Sequence, residues 1–211
     1  MVKLEKSKLT GDLNLKKYND DKIFSLLSKD CFSKCYICER NDTDLNIEHI
    51  IPHRGDEVLK QNWDNLSLAC THCNLMKSYS YDNIINPFID DPEEFIEISP
   101  NFKEQTIPYV DIKILKSTAS SIQTKDLLMD IYSKVNTGRR KDYIPKLNEK
   151  MFDEVKNLES YIELYLGEQD DGIKLSTLNI IKKLVSTRSP FAAIKRSYLR
   201  SSLIEVDYDK N

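Results

Sequence analysis

Four of the five cysteines stand in two pairs, and each pair separates its sulfurs by two residues. The pairs are Cys35 with Cys38 and Cys70 with Cys73, and the fifth cysteine is Cys31. Two such turns can hold four thiolates about 2.3 Å from one ion, which is the geometry of structural zinc. A zinc ribbon usually separates its pairs by about 15 to 20 residues, whereas 31 residues intervene here. The spacing therefore predicts a four-cysteine zinc site with a substantial segment looped out between its halves.

Other interpretations of the cysteines explain less. A redox C-x-x-C motif would leave the second pair without a role. A secreted disulfide framework does not suit an odd number of cysteines in a chain whose N-terminus lacks the apolar stretch of a secretory signal. We therefore expect Cys31 to be a small buried side chain. His72 lies inside the second pair, and we expect it to be exposed rather than bound to the metal.

The segment between the pairs carries side chains suited to acid–base and metal chemistry. Residues 45–51 predict a short apolar strand, which would place Glu48 and His49 beside the zinc. A helix that begins at the second cysteine pair would place Asn74 and Lys77 one turn apart on one face. A single Glu-His pair is a weak signal, so the interpretation depends on the order of the whole set.

That order resembles the HNH endonuclease family, which has a ββα-metal fold. It runs C-x2-C, Glu-His-Ile-x-Pro, Asn-Leu and C-x2-C-Asn-x-x-Lys over about residues 35 to 77. The resemblance matches the first His of the family to His49, the central Asn to Asn65 and the last H/N position to Asn74. Glu48 matches the acidic residue before the first His, where many members have Asp. The resemblance implies a metal-dependent endonuclease that acts on DNA.

Hydrolysis of a phosphodiester needs an activated water on one side and stabilised charge on the leaving side. A histidine of near-neutral pKa suits the general base, which would be His49. Glu48 and Asn74 offer oxygen ligands for a catalytic Mg2+ or Mn2+. Asn65 would pin the loop and orient the His49 ring by hydrogen bonding. Four thiolates leave no open position on the zinc, whose role is therefore structural.

Three further residues are candidates for substrate binding. His53 either contacts the metal or the scissile phosphate, or lies exposed beside Arg54. Arg54 and Lys77 are either phosphate clamps or solvated surface charges. Trp63 could stack on a base, but we expect it in the core.

The remaining elements predict an α+β fold. An Asp-capped helix is expected over residues 20–30, and the acidic, proline-containing residues 86–111 predict an extended, turn-rich connector. Helical patterns then follow over four stretches: one capped by Thr124 and stopped by Gly138, one over 146–166 ended by Gly167, one over about 175–187, and one opening at Ser189-Pro190. We expect three parts: a zinc-stapled ββα-metal unit with a flanking helix (1–85), the connector (86–120) and a helical C-terminal region (121–211).

Two features point to partners. Residues 86–94 are similar to a segment that follows the HNH core in the nuclease subunits of Septu-type antiphage systems, which implies a defence effector working with an ABC-like ATPase. Residues 173–204 contain seven basic and no acidic side chains, and residues 138–141 add a basic turn. These charges would bind nucleic acid, dock an acidic partner protein or form a merely solvated face. The seven are Lys174, Lys182, Lys183, Arg188, Lys195, Arg196 and Arg200.

Composition sets the outer limits of the interpretation. The 211 residues are 40% hydrophobic and 31% charged, with a formal net charge of −3. A core can therefore form, and nucleic-acid binding must rest on a local site. Dinucleotide and P-loop motifs are missing from the sequence. No apolar stretch is long enough for a membrane helix, so we expect a cytoplasmic protein. The alternative function is a zinc-stabilised module that binds nucleic acid without cutting it, and the sequence leaves RNA open as the ligand.

Overall fold

Seven α-helices and two small antiparallel sheets make up the described part of the chain. The computed structural model describes residues 1–9, 17–41, 44–102, 109–133, 143–202 and 204–208. The predicted α+β class is confirmed. The elements in chain order are α1 (Asp21–Asp30), β1 (Leu45–His49), α2 (Glu57–Gln61), β2 (Leu66–Cys70), α3 (Thr71–Lys77), β3 (Ile96–Pro100), β4 (Val110–Ile114), α4 (Ala119–Ser133), α5 (Tyr143–Gly167), α6 (Asp171–Leu184) and α7 (Ala192–Arg200).

The first sheet and α3 form the predicted ββα unit. β1 pairs antiparallel with β2, and His49 stands opposite Leu66 in the register. Every residue of β2 is buried, as expected for a strand covered on both faces. β2 runs directly into α3, so that Cys70 is both the last strand residue and the N-cap of the helix.

Helix α1 covers the unit at the position the sequence predicted. The Asp20 carboxylate accepts a hydrogen bond from the Lys22 backbone N–H and caps the helix, which is the preferred role of Asp at this position. Ile23 and Leu27 are buried in the main core. Trp63 is also a core residue, as expected, and its indole N–H donates to the Ser7 carbonyl over 2.9 Å.

Residues 86–111 were expected to be an extended connector, but they include β3 and the start of β4, which form a sheet. β3 and β4 pair antiparallel, with Ile98 opposite Ile112. Ile96, Ile98, Val110 and Ile112 are buried and alternate with polar residues, so one face of the sheet packs on the core. The abundance of proline and acids masked this period-two pattern.

The helical region begins earlier than the sequence suggested. Thr124 is a buried residue inside α4 rather than its cap, and its hydroxyl accepts from the Ile85 backbone N–H over 2.8 Å. The Thr118 hydroxyl accepts from the Ser121 N–H at the start of the helix instead. Gly138, the predicted stop, and the basic residues 138–141 lie outside the described residues. None of the described helices is both long and apolar enough to cross a membrane.

The basic stretch 173–204 does not form one charged surface. Lys195 and Arg196 are fully buried, where Lys195 pairs with Glu154 of α5 and Arg196 with Glu93. Arg200 pairs with Glu93 as well. These ion pairs attach α7 to α5 and to the turn before β3. Of the seven predicted surface cations, three are therefore occupied by acids of the same chain.

We expect the Arg196 ion pair to be a main determinant of stability. Its guanidinium donates to the Val185 carbonyl, to the Thr187 hydroxyl and to the Glu93 carboxylate. Arg196→Met would leave Arg200 as the partner of Glu93 and would remove the donor of the Val185 carbonyl and the Thr187 hydroxyl. The free energy of unfolding should therefore fall by about 3 kcal/mol in urea denaturation. The matched control is Arg54→Met, which breaks an exposed pair and should cost about 0–1 kcal/mol. Equal effects of the two variants would contradict this account.

Candidate functional site

The four paired cysteines converge on one point at the junction of the sheet and α3. Their sulfur atoms all lie within 4.8 Å of one another, and Cys38 and Cys70 are separated by 3.9 Å between sulfurs. A zinc ion bound tetrahedrally at about 2.3 Å would place its sulfurs about 3.8 Å apart. The cluster therefore fits a structural zinc. Within the described ranges, it is the one group of three or more His, Cys, Asp or Glu side chains close enough to share an ion.

The neighbouring Cys31 and His72 stay outside this cluster. Cys31 is buried, as expected, and its sulfur lies 3.6 Å from the Ser67 hydroxyl. The expectation that His72 is exposed is wrong. It is 6% exposed, and its Nε2 lies 3.2 Å from the Ile131 carbonyl of α4. α4 covers the second cysteine pair, and this tertiary contact could not be read from the sequence.

A cleft of about 320 Å³ opens beside the ββα unit. Four of the predicted site residues line it, namely Glu48, His49, His53 and Asn74. β1 carries the first two, the loop after β1 carries His53, and α3 carries Asn74. Their positions follow from the antiparallel pairing and from the helix that continues β2, so the fold brings together residues up to 26 positions apart.

The His49 ring is held in a defined orientation. Its Nε2 lies 2.9 Å from the Lys60 carbonyl oxygen. Because a carbonyl oxygen only accepts, this contact assigns the proton to Nε2 and leaves Nδ1 as the basic nitrogen. The Tyr18 and His53 rings each meet the imidazole edge-on with centroids 4.8 Å apart.

The environment keeps His49 neutral. Burial lowers the pKa of the imidazole below its usual value, and the nearby charges of His53 and Lys77 lower it further, against the opposing hydrogen bond to Lys60. A general base must be unprotonated to accept a proton, so a lowered pKa favours that role at neutral pH.

Lys77 differs from both of its predicted roles. Its ammonium is buried, donates to Glu48 Oε1 over 2.9 Å and donates to the His49 carbonyl over 2.8 Å. It is therefore neither a solvated charge nor directed at a ligand in the cleft. Burial raises the pKa of Glu48, and the Lys77 charge opposes that rise. The lysine thus helps to keep a largely buried carboxylate ionised.

Asn65 acts on the loop backbone rather than on the His49 ring directly. Its side-chain oxygen accepts from the Ile51 N–H over 2.8 Å, and its amide donates to the carbonyls of Ile51 and Leu59. Leu59 precedes Lys60, whose carbonyl holds the imidazole. Asn65 therefore fixes the segment that orients His49. It does so through the backbone next to Lys60, and not through the direct hydrogen bond to the ring that the sequence predicted.

Of the remaining predicted residues, His53 faces the cleft and Arg54 does not line it. The His53 Nδ1 accepts from the Gly55 N–H over 3.1 Å. The Arg54 guanidinium forms an exposed ion pair with Asp82 at 2.8 Å. Arg54 also has a positive φ of 48°, which is uncommon for a non-glycine residue.

Two tyrosines in the cleft were not anticipated. Tyr18 covers one edge of the His49 ring, and Tyr79 lies at the mouth with 61% of its surface exposed. The chain has 11 tyrosines, and neither of these two stands in a motif. The Lys60 carbonyl is equally invisible in the sequence, because backbone groups carry no sequence signal.

The donors in the cleft suit a hard divalent cation. Glu48 supplies a carboxylate and Asn74 a side-chain amide oxygen, which are the ligand types of Mg2+ and Mn2+. Mg2+ commonly keeps several waters and binds through one or two carboxylates. A site with few protein ligands in an open cleft is therefore consistent with such an ion.

One family model matches this part of the chain. Residues 35–80 match the model of the HNH endonuclease family. The matched residues include both cysteine pairs, β1, β2, α3 and every cleft residue named above except Tyr18. No curated protein and no solved structure is significantly similar to the chain. The family match and the four-cysteine cluster together support a nuclease function that involves metal binding.

The cysteine cluster gives a direct prediction. Cys70→Ser removes one thiolate at the point where β2 becomes α3, and so small a ββα unit depends on its metal for folding. We expect the variant to lose zinc, measured by atomic emission, and the cooperative melting of the unit, measured by circular dichroism. Cys31→Ala is the matched control and should retain one zinc per chain. A full zinc equivalent in Cys70→Ser would refute the four-thiolate site.

Proposed function

We propose that the protein is a metal-dependent HNH endonuclease that hydrolyses DNA phosphodiester bonds in the cleft of the ββα unit. The observation that supports it most strongly is the meeting of Glu48, His49 and Asn74 in one cleft within the segment that matches the family. A module that only binds nucleic acid needs none of these three side chains in this arrangement.

His49 is the proposed general base. Nδ1 of its ring would take a proton from the attacking water, while Nε2 stays bonded to the Lys60 carbonyl. That carbonyl also stabilises the imidazolium that forms, since it accepts from the protonated Nε2. Asn65 is a positioning residue, because it holds the loop that carries the carbonyl.

Glu48 and Asn74 would hold a catalytic Mg2+ or Mn2+. Such an ion supplies charge stabilisation for the phosphate and the leaving oxygen. Lys77 fixes the Glu48 carboxylate toward α3, and its charge opposes the rise in the Glu48 pKa that burial causes. We further propose that His53 contacts a phosphate, since it lines the same cleft. Arg54 could do so only after leaving Asp82.

Removal of the base tests the proposal. His49→Ala should lower the rate of nicking of supercoiled plasmid about 10²- to 10⁴-fold in the presence of Mg2+ or Mn2+. Zinc content should be unchanged, because the side chain lies outside the cysteine cluster, and the variant should still melt cooperatively although at a lower temperature, because a buried ring is removed. Asp111→Asn, an exposed change on β4, is the matched control and should nick at the wild-type rate.

The assay also separates the alternative function. If the wild-type protein binds plasmid but does not nick it with either metal, an autonomous hydrolase is excluded. The zinc-stabilised binding module and a latent nuclease that needs its partner are then the two alternatives. If His49→Ala nicks at the wild-type rate, the base is wrongly assigned. A parallel reaction on single-stranded RNA shows whether the sugar is discriminated.

We also propose a finer role as a bacterial antiphage effector with an ATPase partner. It rests on the similarity of residues 86–94 to Septu-type nuclease subunits. At the adjoining ends of α5 and α6 lie the exposed apolar side chains that we propose as the docking surface: Leu164, Leu166, Ile173 and Leu175 are each about half exposed or more. Interfaces bury such side chains at their centres.

A charge on this surface tests the partner role. Leu175→Glu should abolish protection of cells against phage, measured by plating efficiency, because a charge at the docking site disfavours association. Plasmid nicking by the purified variant should not change, since Leu175 lies outside the cleft. Lys146→Glu, an exposed change on α5, is the control. Protection that survives Leu175→Glu would contradict docking at this surface.

A further inference from the structure

A tyrosine hydroxyl of the helical region lies against the sulfur of a predicted zinc ligand. Tyr143 is the first residue of α5, and its Oη is 3.4 Å from Sγ of Cys70. The two residues are 73 positions apart. The contact therefore joins the cysteine cluster to a helix outside the segment that matches the family.

The hydrogen-bond chemistry sets the direction of this contact. Nη2 of Arg40 lies 2.5 Å from Tyr143 Oη. A guanidinium can only donate, so the tyrosine oxygen accepts from Arg40 and keeps its own proton for another acceptor. The Cys70 sulfur is within reach, and as a zinc-bound thiolate it would be a strong acceptor for that proton.

The tyrosine ring is fixed on two sides. The guanidinium carbon of Arg40 lies 4.7 Å from the ring centroid. His72 stacks on the ring with centroids 4.1 Å apart and planes inclined by 23°. His72 is itself held by the Ile131 carbonyl of α4. The hydroxyl is thus placed by Arg40, which follows the first cysteine pair, and by His72, which lies inside the second. These contacts leave the ring little freedom to turn away from Cys70.

We propose that Tyr143 is an outer-sphere residue of the zinc site, whose hydroxyl donates to the Cys70 thiolate and slows the loss of zinc. Four thiolates leave the complex with net negative charge, which a donated hydrogen bond and the adjacent Arg40 cation relieve. Groups that hydrogen-bond to metal ligands commonly change metal affinity about 10- to 100-fold. The helical region therefore controls how firmly the ββα unit holds its metal. This inference does not depend on the proposed nuclease activity.

Tyr143→Phe in the full-length protein tests the proposal, because it keeps the ring, its stack on His72 and its contact with Arg40. We expect zinc transfer to a chromophoric chelator to be about 10- to 100-fold faster than in the wild type. In the cobalt-substituted protein, the thiolate-to-cobalt charge-transfer band should move to lower energy, since the sulfur loses a hydrogen bond. A role in packing alone would change neither readout.

The control is Tyr81→Phe, whose hydroxyl donates to Asp130 and not to a sulfur. It should release zinc at the wild-type rate. Arg40→Met should release zinc faster than the wild type. Because the Arg40 charge also acts on the thiolates directly, the double variant should release zinc faster than Tyr143→Phe, but by less than the product of the two single effects.

Wild-type release and an unshifted cobalt band in Tyr143→Phe would overturn the proposal. If circular dichroism shows that Tyr143→Phe does not fold, Arg40→Met carries the same two measurements. Wild-type behaviour of that variant would then overturn the proposal.

Discussion

The convergence of four cysteine sulfurs at the end of β2 is the constraint on which the ββα unit depends. Cys70 ends the strand and caps α3, while Cys73 lies in the first turn of that helix. A metal bound there fixes the angle between sheet and helix. That angle in turn decides whether Asn74 of α3 faces Glu48 and His49 of β1. The cysteine cluster and the cleft therefore depend on the same three elements: the cluster is buried among them, and the cleft opens beside them.

A buried ion pair between Lys77 and Glu48 lies beside the cleft. Lys77 is buried at the end of α3, where its ammonium pairs with the Glu48 carboxylate and donates to the His49 carbonyl. A buried pair contributes little net stability compared with apolar packing, but breaking it is costly. Its benefit here is positional, because it sets the carboxylate and the backbone of the proposed base relative to α3. The same lysine lowers the pKa of the imidazole, so one cation favours an ionised acid and a neutral base together.

Specific contacts hold the helical region to the rest of the described chain. Buried ion pairs from Lys195 and Arg196 attach α7 to α5 and to the turn before β3. The Tyr143 hydroxyl of α5 contacts the Cys70 sulfur of the cysteine cluster. Lys195, Arg196 and Arg200 could have bound a nucleic acid, but they pair with acidic residues of the same chain. The exposed apolar residues of α5 and α6 are what this region leaves for a partner.

The sequence by itself determined the four-cysteine cluster, the ββα unit, α1 and four residues of the cleft, namely Glu48, His49, His53 and Asn74. Each of these depends on short-range spacing or on the order of a motif. It did not determine the β3–β4 sheet, whose alternation is masked by prolines and acids. It also misjudged His72, which was expected to be exposed, and Lys77, which was expected to be a phosphate clamp or a solvated charge; both are buried. Only tertiary structure decided those roles, since burial and charge pairing arise between residues far apart in the chain. The same holds for the Lys60 carbonyl and the Tyr143 hydroxyl: a backbone oxygen and a single tyrosine leave no local pattern, and their partners are chosen by how the helices pack.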